Sequence, residues 1–106
     1  MYGGHPYSGV TKTSQSIAAN ASVNLGSISK PSKATYCLQF GFLSFTPNAA
    51  GKVQLAVNGT VNQFYVTSGS AWQISVSGLY EGSAAFSITP SMAGTLNSST
   101  FRVIWF

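Results

Sequence analysis

Acid–base, nucleophilic or metal chemistry in this chain would have to come from His5, Cys37 and Glu81. They are its only histidine, its only cysteine and its only acidic residue. Glycoside hydrolysis needs two carboxylates. A Ser-His-Asp triad needs an acid to orient the imidazole, and the chain has no aspartate. A thiol–imidazole pair would join Cys37 to His5. Cys37, however, sits inside the apolar run TYCLQFGFLSF, where a cysteine behaves as a small buried hydrophobe. Zinc needs several Cys or His, and calcium needs clustered oxygen ligands. No glycine-rich phosphate loop is present. The chain reads as non-enzymatic, with no metal and no cofactor.

The charges are as sparse as the catalytic groups. Lys12, Lys30, Lys33, Lys52 and Arg102 stand against Glu81, for a net charge of +4. Only Lys30 and Lys33 are close in sequence, and a nucleic-acid patch clusters basic residues with aromatics between them. Nucleic acid is therefore not an expected partner; an acidic protein surface is. Charged residues make up 6% of the chain, against about a quarter in ordinary soluble domains. A surface built from Ser, Thr, Asn, Gln, Gly and apolar groups offers little colloidal repulsion. It suits either a secreted protein with a hydroxyl-rich coat or a protein facing other chains. The second reading is favoured.

The opening residues, MYGGHPYSGVTK, contain no apolar leader, and a lone cysteine cannot form an internal disulfide. No apolar run is long enough to span a membrane as a helix. These features suggest synthesis in a cytosol and use outside a cell, a combination met in virion proteins.

The elements are strands. Residues 52–67, KVQLAVNGTVNQFYVT, alternate apolar and polar on either side of Asn58-Gly59. That dipeptide accepts the positive φ at both positions of a tight hairpin turn. Further strands are expected over 13–19, 22–29, 35–45, 71–77, 83–89 and 100–106, with a bulge at Gly26. In 35–45, Tyr36, Leu38, Phe40 and Phe42 share one face while Leu43 and Phe45 take the other. A helix is the rival reading there, opposed by three Phe and an internal Gly. Residues 78–82 and 90–99 read as a turn and a polar loop. The result is an all-β chain: an eight-stranded antiparallel β-sandwich, jelly-roll-like, with no helix.

Residues 1–12 read as an extended arm, broken by Gly3, Gly4, Pro6 and Gly9, preceding one sandwich domain over 13–106. Tyr2, His5, Tyr7 and Lys12 are the arm's candidate partner-binding residues. Asn20, Asn58 and Asn97 match glycosylation acceptor patterns but read as turn residues. Trp72 with Tyr80 is a possible sugar-stacking pair, set against a core role for Trp72.

The composition, the rhythm of strands and the stretch SQSIAANASVNLGSIS (residues 14–29) resemble the decoration, or cement, proteins of tailed-bacteriophage capsids of small jelly-roll type. The resemblance implies a homo-oligomer, a trimer before a dimer, seated on the capsid surface and made in the host cytoplasm. It further implies binding to the major capsid protein or neighbouring shell subunits. The alternative is a receptor- or carbohydrate-binding module of a tail fibre. No motif carries family site residues across.

Overall fold

The structure, a computed structural model, describes residues 7–106. The described residues form nine strands. They are β1 (Tyr7–Lys12), β2 (Gln15–Ile17), β3 (Val23–Ile28), β4 (Tyr36–Pro47) and β5 (Gly51–Val57), then β6 (Thr60–Val66), β7 (Trp72–Glu81), β8 (Ala84–Pro90) and β9 (Gly94–Trp105). Sheet A runs β1-β9-β4-β7, with β2 continuing the β1 edge along β9; sheet B runs β3-β8-β5-β6. All pairings are antiparallel. From β2 onward only β5 and β6 are consecutive neighbours; every other connection crosses between sheets. That is the jelly-roll arrangement of two four-stranded sheets, with β1 as an additional edge strand.

Three expectations are corrected. The described residues form nine strands where eight were expected, because half of the expected arm is β1. Its residues Tyr7 to Lys12 pair one by one with Ile104 to Ser99. The edge of β9 supplies a complete main-chain ladder, which outweighs the weak strand preference of a segment containing Gly9. The expected loop over 90–99 is mostly the first half of β9: β2 and β4 pair with it from either side. The expected turn at 78–82 belongs largely to β7, which continues to Glu81.

The hairpin forms as the sequence dictates. Asn58 and Gly59 have φ of 50° and 82°. Asn58 Oδ1 also accepts a bond from the Ala85 N–H at 2.9 Å, tying the tip to β8. The bulge at Gly26 is present as a register shift between Asn24 and Gly26.

Strict alternation on β4 decides where the core lies. Cys37, Gln39, Leu43 and Phe45 are fully buried between the sheets, together with Phe101, Val103 and Trp105 from β9. Leu25, Val53, Leu55, Phe86 and Ile88 meet them from sheet B. Two glycines let the sheets approach. A Cβ on Gly41 would lie 2.6 Å from Phe86 Cζ, and one on Gly26 would lie 2.5 Å from Phe101 Cδ2.

Candidate interaction surface

The alternation that fills the core leaves the other face of β4 pointing outward. Tyr36, Phe40 and Phe42 are 45%, 42% and 45% exposed, and Leu79 on β7 is 60% exposed. Leu38 and Ile104 are register partners, both half-buried, and Arg102 on β9 is the partner of Phe40. The rings of Tyr36 and Phe106 lie 6.5 Å apart. The outward side of β4 is therefore an apolar, mainly aromatic row roughly 20 Å long from Tyr36 to Phe42. It widens at Leu79 and Ile104 and is flanked by Ser75, Ser77 and Glu81 on β7 and by Thr100 and Arg102 on β9. Patches approaching a few hundred Å² are often functional.

The outer face of sheet B differs. Lys52, Gln54, Ser87 and Thr89 occupy it, and its side chains bond to one another: Ser22 to Thr89 at 2.6 Å, Gln54 to Gln63 at 3.4 Å, Gln63 to Tyr65 at 3.1 Å. Val61 and Tyr65 are its exposed large apolar residues. Sheet B thus presents a hydrogen-bonded polar surface with two apolar side chains, and sheet A presents a row of rings with polar residues on either side.

The chemical groups do not converge. Cys37 faces the interior, where Gln39 Nε2 donates to its Sγ at 3.2 Å and the thiol meets the Gly82 carbonyl at 3.6 Å. Glu81 is exposed at the end of β7, as the register partner of Tyr36 on the outward face. His5 and Tyr2 lie outside the described residues. Of the other arm candidates, Tyr7 opens β1 opposite Ile104, and Lys12 closes it opposite Ser99, half-buried. Lys30 is turned onto its own loop, donating to the carbonyls of Ala34 at 2.6 Å and Pro31 at 3.1 Å. It and Lys33 line an open hollow with Thr35 and Glu81.

Trp72 and Tyr80 are both partly buried against the core, and Trp72 Nε1 donates to the Thr67 carbonyl at 3.0 Å. They do not form an exposed pair in a loop. Asn20 is a turn residue with φ of 63°. Asn97 is not one: it lies in β9, and its amide donates to Ser44 Oγ and Thr46 Oγ1 across the register shift there.

The surface that stands out geometrically was not among the expected site residues, which were placed in the arm. Its signal was present in 35–45, where residues of both parities are apolar. One parity fills the core, so the other must face outward or meet a partner.

No family model and no curated protein sequence matches the chain. Among solved structures it is similar to a chain of the T13 particle of infectious bursal disease virus. The TM-score is 0.65 at 13% identity, covering 94% of this chain and 31% of that one. A chain from the Gt strain of the same virus gives 0.60 at 13% identity, covering 97% and 34%. This chain therefore spans about a third of the length of those viral chains. A subunit of Bacillus endospore appendages, described as disulfide-linked pili, gives 0.52 at 15% identity, covering 97% and 90%. At these identities the likeness is one of fold alone, shared with chains of a viral particle and with a pilus subunit.

Proposed function

We propose that this chain is a non-enzymatic structural protein of a virion. It is a decoration or cement subunit that binds the major capsid protein or neighbouring shell subunits through the outer face of sheet A. The observation that carries the reading is the exposure of Tyr36, Phe40 and Phe42 in one row on β4, with Leu79 beside them, while the opposite face is mainly polar apart from Val61 and Tyr65. Aromatic anchors of this kind dominate binding energy at protein interfaces. The likeness in fold to chains of a viral particle supports the class. With one acid in the whole chain and a net charge of +4, the complementary partner surface is acidic around an apolar centre. The N-terminal residues Tyr2, His5, Tyr7 and Lys12 add a second contact on the shell. The protein works as a homo-oligomer on the capsid surface and is made in the host cytoplasm.

The carbohydrate-binding reading is not favoured, because its aromatic pair, Trp72 and Tyr80, packs against the interior. The test is co-sedimentation of the purified chain with empty shells of the virus whose genome carries the sequence. The chain should pellet with the shells to saturation. A chain that stays in solution at all shell concentrations would refute the role.

A further inference from the structure

Strand β7 is an open sheet edge that lacks the features by which edges are normally protected. It pairs with β4 on one side and with no other strand among the described residues. Natural edges are blunted by charges, proline, bulges or short length. β7 is ten residues long and contains no proline, and its register with β4 is unbroken from Trp72 to Glu81. No charged residue occurs from Ser68 to Tyr80. The other edges differ. The β1/β2 edge is interrupted between Lys12 and Gln15, β3 carries a bulge, and β6 has seven residues.

The direction of the free main-chain groups follows from the hydrogen bonds. Tyr36 and Phe106 exchange both of their N–H···O bonds, so Tyr36 faces β9. Main-chain groups alternate sides along a strand, so Cys37 and the other odd residues of β4 face β7. Consistently, the Gly82 N–H donates to the Thr35 carbonyl. The odd residues of β4 pair with the even residues of β7. The even residues of β7 are therefore spent on β4. The odd ones, Gln73, Ser75, Ser77, Leu79 and Glu81, direct their N–H and C=O groups outward, and they are symmetric about Ser77.

We infer that β7 is a self-pairing edge: two copies of this chain join antiparallel, β7 to β7, across a two-fold axis at Ser77. Ser77 then opposes its own copy, Ser75 opposes Leu79, and Gln73 opposes Glu81. All five outward residues find a partner, forming on the order of ten main-chain hydrogen bonds. The strand's single charge meets a neutral amide that can donate to it, not its own copy, so no like charges oppose one another. On the inner side Val76 meets Gly78, over which the Tyr80 ring of the same strand lies. Because the axis is perpendicular to the sheet, the two aromatic rows fall on the same side of the joined sheet, with the two β7 strands between them. Leu79, 60% exposed in the single chain, then lies at the junction beside Ser75 of the second copy.

The inference concerns self-association and stands apart from shell binding, so either can fail alone. Sedimentation velocity of the full chain at tens of micromolar should show a dimer. Ser77→Lys opposes two ammonium groups at an exposed position; it should raise the dissociation constant roughly tenfold or more without changing the far-UV spectrum. Val61→Lys, on the exposed side of β6, should leave the dimer intact. Under mild oxidation Ser77→Cys should yield a covalent dimer, since paired Cα atoms about 5.5 Å apart lie within disulfide range. Ser75→Cys should not, and the wild-type chain, with Cys37 buried, serves as the blank. A wild-type monomer, a dimer indifferent to Ser77→Lys, or dissociation by Val61→Lys in its place would each overturn the inference.

Discussion

Phe86 and Phe101 stack across the sandwich with ring centroids 5.3 Å apart and planes 22° from parallel, and each ring covers a glycine of the opposite sheet. Phe86 lies over Gly41, the register partner of Phe101; Phe101 lies over Gly26, the register partner of Phe86. The two sheets are thus joined by a reciprocal arrangement in which each large residue fills space that a glycine leaves. This fixes the spacing of β4 and β9 against β8 and β3.

Adding one methyl group at either glycine tests that arrangement. Gly41→Ala and Gly26→Ala place a Cβ where a ring already sits, and both rings are held by their stack. Each substitution should destabilise the fold by about 1–3 kcal/mol, the usual range for overpacking. Phe86→Ala should cost about 3–5 kcal/mol by leaving a cavity. Urea denaturation of the three variants checks both values. Loss from Phe86→Ala alone would show that the glycines are not under steric demand.

The hairpin tip separates a backbone effect from a side-chain effect. Asn58→Gly keeps the positive φ but loses the bond to the Ala85 N–H; Asn58→Ala loses both. The expected losses are about 1 kcal/mol for Gly and about 2 kcal/mol or more for Ala. Thermal unfolding of the pair should preserve that order. Equal losses would mean that the bond, not the conformation, carries the role of Asn58.

β1 begins at Tyr7 and pairs with β9 along its whole length. Removing residues 1–6 should leave the unfolding midpoint nearly unchanged while weakening shell attachment. Removing residues 1–12 deletes β1 and its ladder with β9, and should lower stability clearly. Attachment of the intact chain should also weaken as salt rises, because Lys12 and the other basic residues meet acidic groups through screened charges. Co-sedimentation and thermal melts of both truncations across a salt series check this. Equal attachment by the intact and six-residue-shorter chains would remove that segment from the mechanism.

Much of the architecture was legible because alternation with a period of two leaves little choice. The Asn58-Gly59 turn, the inward set Trp72, Ile74 and Val76, and the two faces of 100–106 all lie where their pattern puts them. What escaped depends on partners far away in sequence. Residues 7–12 and 94–99 have weak strand preferences of their own, and each is a strand because β9 meets β1, β2 and β4. Gly41 interrupts the large residues of β4 but not its alternation or its register with β7, and the ring of Phe86 occupies the space its missing side chain leaves. The interaction surface was half legible. The double-sided apolar character of 35–45 was visible, but Leu79, Ile104 and Phe106 joined it only once β7 and β9 were seen to flank β4.

The central claim is that the aromatic face of sheet A, and not the polar face of sheet B, meets the shell. The most direct measurement is co-sedimentation with shells of two double variants, Phe40→Ser/Phe42→Ser on sheet A and Val61→Ser/Tyr65→Ser on sheet B. All four positions are exposed, so both variants should fold. Loss of a well-packed aromatic anchor costs about 2 kcal/mol or more at an interface. The sheet A variant should therefore remain in the supernatant at shell concentrations that pellet the wild-type chain, and the sheet B variant should pellet normally. A sheet A variant that pellets like wild type, or a sheet B variant that alone fails to pellet, would contradict the account.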